Sequence, residues 1–344
     1  MTSECSIPHT SPRLTMENVM SENLFDTLLL LALPASGKSE VRKFMREGTA
    51  ADAAANYHLG DTVQLDDFPY VHFLRCCDDA LVELGAPRAF YKGPDDVFLE
   101  RRDWGTLLQL VNQDYYVITQ PDAQKPSADP HVLFERVDKA REAVGAATVF
   151  RDMDAGLKSA VADKVAAEAH GLVEELFGRK PATMEGKTVV IEFARGGPDG
   201  TTPPLPEPHG YAYSLKQLAP EILESAALLY IWVTPEESRR KNAAREDPDD
   251  PGSILHHSCP LTVMLADYGV CDMPHLAETS SIPGTIEVDA HERTFNIPVA
   301  IFDNREDLTS CLRDEPEDWP EETVAKLQTA ISTALSDAWS RYKS

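Results

Sequence analysis

Residues 28–33 form an unbroken apolar run that leads straight into Pro34-Ala35-Ser36-Gly37-Lys38-Ser39. A short continuous run of this kind suits a strand buried on both faces, the pattern of a parallel sheet covered by helices. The run is too short for a membrane span, which needs about 20 apolar residues. It also lacks the marks of a secretion signal. The residues before it, from Glu17 to Asp26, are acidic and polar, and Arg13 is the only lysine or arginine upstream. After the run, Val41, Phe44 and Met45 recur at helical spacing. The order is therefore strand, small-residue loop, helix.

The rest of the chain repeats this alternation. "LGDTVQLDDFPY" (59–70) reads as a second strand ending in Asp66 and Asp67, and "KTVVIEFARGG" (187–197) as a third. "ALLYIWVTPEESRRKNAARED" (227–247) reads as a fourth strand turning into a basic helix, and 297–304 as a fifth strand. "SLKQLAPEILESA" reads as one helix, and an amphipathic helix closes the chain. The stretch 71–185 is mostly helical in pattern, with a turn-rich linker at 118–130 and one long Ala-, Leu- and Glu-rich helix at 156–178. The expected fold is α/β, a five-stranded parallel sheet flanked by helices. One domain is expected over 23–344, with a helical insertion at about 75–185, after a disordered tail at 1–22. No internal repeat is expected.

Fifty-seven acidic residues against 32 lysines and arginines give a formal net charge of -25. Such a surface repels nucleic acid and anionic lipid, so neither is an expected partner. The six cysteines, Cys5, Cys76, Cys77, Cys259, Cys271 and Cys311, are scattered rather than framed as disulfides, which points to a reducing cytoplasm. His256, His257, Cys259 and Cys271 lack the close pairs of a zinc site. Cys76 and Cys77 read as helix packing.

Gly37-Lys38-Ser39 between a buried strand and a helix has the residue types of a phosphate-binding loop. Backbone N–H groups of a tight loop wrap a phosphate, and the helix N-terminus adds partial positive charge. Pro34, Ala35, Ser36, Gly37, Lys38, Ser39 and Glu40 make up this candidate nucleotide site. Lys38 would reach the β- and γ-phosphates and Ser39 would ligate Mg²⁺. Ala32 stands where the pattern usually opens on glycine.

These features resemble the P-loop kinases of nucleosides, nucleotides and small metabolites, across the chain apart from the tail and the inserted helices. "LALPASGKS" resembles their loop, "QLDDF" the acidic site of the uridine kinase and phosphoribulokinase branch, and "YIWVTPEESRRKNAARE" the strand and arginine-bearing lid helix. "FDN", with Asn304, resembles the nucleotide-base edge. The resemblance implies ATP and Mg²⁺ as cofactors and a small-molecule phosphoryl acceptor. Asp66, or alternatively Asp67, would ready the attacking group at the carboxyl end of its strand. Glu192 would support the metal, and Arg195 and Arg101 would contact substrate or phosphate. Lid arginines Arg240 and Arg245 would stabilise charge on the transferring group. Tyr91, Arg102 and Trp104 are further acceptor-pocket candidates on the insertion.

The other class to weigh is a nucleotide-binding regulatory or interaction protein with weak or no turnover. "NRED" resembles the guanine-reading motif of GTPases, but the third strand continues as "EFARGG" rather than a switch motif, which disfavours a GTPase.

Overall fold

The computed structural model describes residues 23–244 and 258–342. β1 (Thr27–Ala32) is buried at every position. Leu29 and Leu31 enter one hydrophobic core while Leu28, Leu30 and Ala32 enter another, because successive strand residues face opposite sides. Burial on both faces is why the strand reads as a solid apolar run.

α1 (Lys38–Arg46), α2 (Ala50–Tyr57) and the closing helix α13 (Glu321–Tyr342) cover one face of the sheet. β2 (Asp61–Asp66) follows α2, and five helices then precede β3 (Lys187–Phe193): α3 (Phe68–Glu83), α4 (Asp103–Thr119), α5 (Pro130–Ala143), α6 (Ala155–Lys164) and α7 (Ala166–Gly178). α8 (Gly210–Leu215) and α9 (Pro220–Ser225) lead to β4 (Ala226–Trp232) and α10 (Pro235–Ala243). α11 (Leu261–Asp267), α12 (Met273–Thr279), β5 (Thr285–Ala290) and β6 (Arg293–Asp303) precede α13.

The sheet has six strands in the order β2-β3-β1-β4-β6-β5. β2, β3, β1, β4 and β6 pair in parallel, and β5 joins the edge antiparallel to β6. The fold class is α/β with a mostly parallel sheet, and the expectation of five strands is corrected by this hairpin. Its turn uses His291 and Glu292, both at positive φ (52° and 60°). Those are not the Asn-Gly or Asp-Gly pairs that announce such a turn. Two expected single helices are broken. The 156–178 helix divides at Val165, and "SLKQLAPEILESA" divides between α8 and α9.

The helices between β2 and β3 pack a core that includes Phe73, Leu110, Phe134 and Val161 and also takes in Leu33 and, from α11, Val263 and Met264. α3 and α5 carry the same local device. Asp78 accepts from the backbone amides of Ala89 (2.7 Å), Phe90 (3.1 Å) and Tyr91 (2.8 Å). Asp138 accepts from Val149 (2.8 Å), Phe150 (3.2 Å) and Arg151 (2.7 Å). Each helix ends on a glycine at positive φ, Gly85 at 79° and Gly145 at 74°. The alanine after each glycine donates back into the last turn, Ala86 to Leu81 O and Ala146 to Arg141 O. The rings of Phe90 and Phe150 meet at 5.5 Å between the two loops. A helix–turn–loop unit thus occurs twice, which corrects the expectation of no internal repeat. The two copies share few residue types beyond the Asp, the Gly-Ala pair and the Phe, and that is too little periodicity to stand out in sequence.

Among the described residues no helix is long and apolar enough to cross a membrane. The expected tail at 1–22, together with His256, His257 and Arg245, lies outside the described residues.

Candidate functional site

Three side chains from distant segments hold the carbonyls of the loop between β1 and α1. Ala32 O accepts from Tyr211 Oη (3.0 Å) and Lys38 Nζ (3.3 Å). Pro34 O accepts from Ser238 Oγ at 2.7 Å, and Ser36 O from Asn304 Nδ2 at 3.0 Å. In a trans peptide the C=O and N–H point in opposite directions. Pinning Pro34 O therefore turns the Ala35 amide to the other side of the chain, and pinning Ser36 O does the same for Gly37. The amides of Ala35, Ser36, Gly37 and Ser39 donate to no group among the described residues. Ala35 and Gly37 lie in the left-handed region, with φ of 55° and 99°. Successive amides in such a turn have the geometry that can bind an anion.

Gly37 is required there twice over. Its φ disfavours a side chain, and a Cβ would collide with Thr309 Oγ1 and press on Asn304 Nδ2 at 3.2 Å. Asn304 is fully buried behind the loop, where its Oδ1 accepts from Leu308 N (2.8 Å) and its Nδ2 also reaches Thr309 Oγ1 (2.8 Å). The residue expected at the base edge thus has its amide committed to the loop's frame. Glu40 is buried, and its Oε1 accepts from Arg313 Nε at 2.9 Å. Ser39 is exposed on the first turn of α1.

Beside the loop, Asp66 and Glu192 are register partners at the carboxyl ends of β2 and β3. Glu192 is buried, and its Oε1 accepts from Arg42 Nη1 and, at 3.2 Å, from Gln64 Nε2. Asp66 stays partly exposed, with Arg179 Nη1 3.8 Å from its carboxylate. Burial first, and then repulsion from Asp67, push the Asp66 carboxyl up to about 6; Arg179 opposes this and Glu192 adds to it. Asp67 is buried and turns elsewhere, its Oδ2 2.7 Å from Arg195 Nη2. That contact is an ion pair without hydrogen-bond alignment, and Oδ2 has no hydrogen-bond partner.

Arg195 is committed within the protein. It donates to Ser214 Oγ (3.1 Å), Ala194 O (2.6 Å) and Trp104 O (3.0 Å), and it stacks 4.6 Å from the Trp104 ring. Arg101 pairs with buried Asp267, and Arg102 with Glu100 at 2.7 Å. Trp104 and Tyr91 belong to the core of the helical layer. Burial pushes the Cys259 thiol up to about 12, so it stays a thiol at neutral pH.

The basic helix α10 is docked on the loop through Ser238. Lys241 is also buried there, bonded to Asp307 Oδ1 at 2.8 Å. Arg240 is exposed and bonded to Glu237 at 2.6 Å, and Arg239 lies 3.4 Å from Asp199.

The donor set suits Mg²⁺, which is held by few protein oxygens and completes its shell with water and phosphate. Ser39 and Arg42 lie at i, i+3 spacing on α1, and the Arg42 guanidinium reaches Glu192. Among the described residues there is no cluster of three or more His, Cys, Asp or Glu that would hold an ion without such help. Sequence reasoning missed Arg42, Gln64, Tyr211, Ser238 and Thr309. Only Arg42, one turn beyond Lys38, carried a readable signal. No family model, curated protein or solved structure matches this chain.

Proposed function

We propose that this protein is an ATP- and Mg²⁺-dependent phosphotransferase of the P-loop kinase type, acting on a small hydroxyl-bearing molecule such as a nucleoside, nucleotide or related metabolite. The observation that carries this reading is the loop whose Pro34 and Ser36 carbonyls are pinned from outside and whose Ala35, Ser36, Gly37 and Ser39 amides meet no acceptor among the described residues. Such amides bind a polyphosphate tail, and Lys38 adds charge beside it. Ser39 and Glu192 would hold Mg²⁺, which supplies charge neutralisation on the phosphates. Asp66, partly exposed next to Glu192, orients the acceptor hydroxyl and takes its proton. The partner is then a small acceptor molecule, and the compartment that fits reduced thiols and this chemistry is the cytoplasm. The test is ADP release from ATP with and without a panel of nucleosides, nucleotides and sugars. Acceptor-dependent release supports the kinase; binding without turnover leaves a nucleotide-binding module.

If Asp66 is the base, its carboxyl must be ionised, so kcat/KM for the transfer should fall about tenfold per pH unit below about 6. Asp66→Asn should remove that limb along with most activity, and a flat acidic limb in the wild type would exclude Asp66 as the base. The stability effect runs the other way. A carboxyl raised on folding stabilises most when protonated, so its contribution is full below the unfolded value and is lost as pH rises through about 6.

Asn304→Ala should weaken Mg-ATP binding by about tenfold, because the Ser36 carbonyl loses its brace and the Gly37 amide its fixed direction. Calorimetry reads this directly, and unchanged affinity would remove Asn304 from the loop's frame.

A further inference from the structure

Acids and guanidinium groups are matched one to one where β2 and β3 end. Asp67 lies 2.7 Å from Arg195, Asp66 3.8 Å from Arg179, and Glu192 is bonded to Arg42. A divalent cation entering between Ser39 and Glu192 adds two positive charges to a group already in balance. Like charges a few ångströms apart in a partly buried site repel strongly. One guanidinium must therefore give way.

The three arginines differ in how firmly they are held. Arg195 is buried among Ser214, Ala194 and Trp104. Arg179 also binds Gln64 O and Glu175, so it keeps partners if Asp66 is lost. Arg42 has Glu192 as its one partner among the described residues, and its side chain is 24% exposed. It has no second partner to give up, so it can swing into water once a cation takes over its place on Glu192.

We infer that Arg42 is a resident counter-ion on Glu192, a placeholder that suppresses divalent-cation binding until nucleotide phosphates help to displace it. This rests on the reading of the loop as a nucleotide site and adds its regulation: the cation binds together with the nucleotide rather than ahead of it. The guanidinium occupies the same carboxylate oxygen that Gln64 orients, so cation and Arg42 compete for one acceptor.

The test is a Mn²⁺ titration of the full chain without nucleotide, with free Mn²⁺ followed by electron paramagnetic resonance. Arg42→Gln should bind Mn²⁺ about tenfold more tightly than the wild type, and adding Glu192→Gln should abolish the gain. Arg42→Met repeats the measurement with the aliphatic stem kept, and thermal unfolding confirms that each variant is folded. Equal or weaker Mn²⁺ binding by both Arg42 variants overturns the inference. A separate Mg-ATP titration of the wild type distinguishes the two readings. Failure there removes the nucleotide site, whereas Mg-ATP binding with unchanged Mn²⁺ affinity in the variants removes only the role of Arg42.

Discussion

Lys38→Ala is expected to lower phosphoryl transfer by about 10²–10³-fold while leaving the fold intact. The magnitude is that of removing one preorganised donor aimed at charge that develops in the transition state. The effect should be at the upper end here, because the protein carries a net charge of -25 and the phosphate tail depends on local cations. The fold should survive because Lys38 is half-buried and the carbonyl it reaches at 3.3 Å, Ala32 O, is also held by Tyr211 at 3.0 Å. Single-turnover transfer and thermal unfolding measured on the same sample check both halves. Wild-type turnover in Lys38→Ala would contradict the assignment of the loop.

The largest stability effect is expected at Asp138. Its carboxylate closes three backbone amides in a loop whose centre, Phe150, is buried. Asp138→Ala leaves those donors without an acceptor, at about 1–3 kcal/mol for each that stays dry. A total loss of about 3–5 kcal/mol in urea unfolding is therefore expected, allowing for water reaching the loop's rim. Asp78→Ala should cost a similar amount, since it clamps Ala89, Phe90 and Tyr91 in the same way. A loss under about 0.5 kcal/mol at either site, the range of an ordinary surface change, would show that the clamps do not stabilise the helical layer.

Legibility followed the range of the interactions. β1 was readable because burial on both faces writes an unbroken apolar run. Gly37 was readable because a left-handed position at the mouth of a helix favours glycine. The β5–β6 hairpin was not, because His291 and Glu292 occupy turn positions usually marked by Asn or Gly. Asp66 and Asp67 were visible as a pair, but their neighbours were not. Adjacent side chains at a strand end face different surroundings, and only the packed helices set Asp66 beside Arg179 and Asp67 against Arg195. The basic helix is a similar case: the sequence offered Arg240 as a lid cation, and in the fold it is bonded to Glu237.

The chain's own order of residues determined that a buried strand runs into a small-residue turn and then a helix, and that an α/β sheet must form around that strand. Those are local and periodic properties, set by backbone sterics and by which face of each element is apolar. The tertiary structure decided which way the loop's peptides point. The groups that hold them, Tyr211, Ser238 and Asn304, come from three separate stretches of chain. A hydrogen bond forms only at a defined distance and angle, and those are known only once the sheet has brought the stretches together.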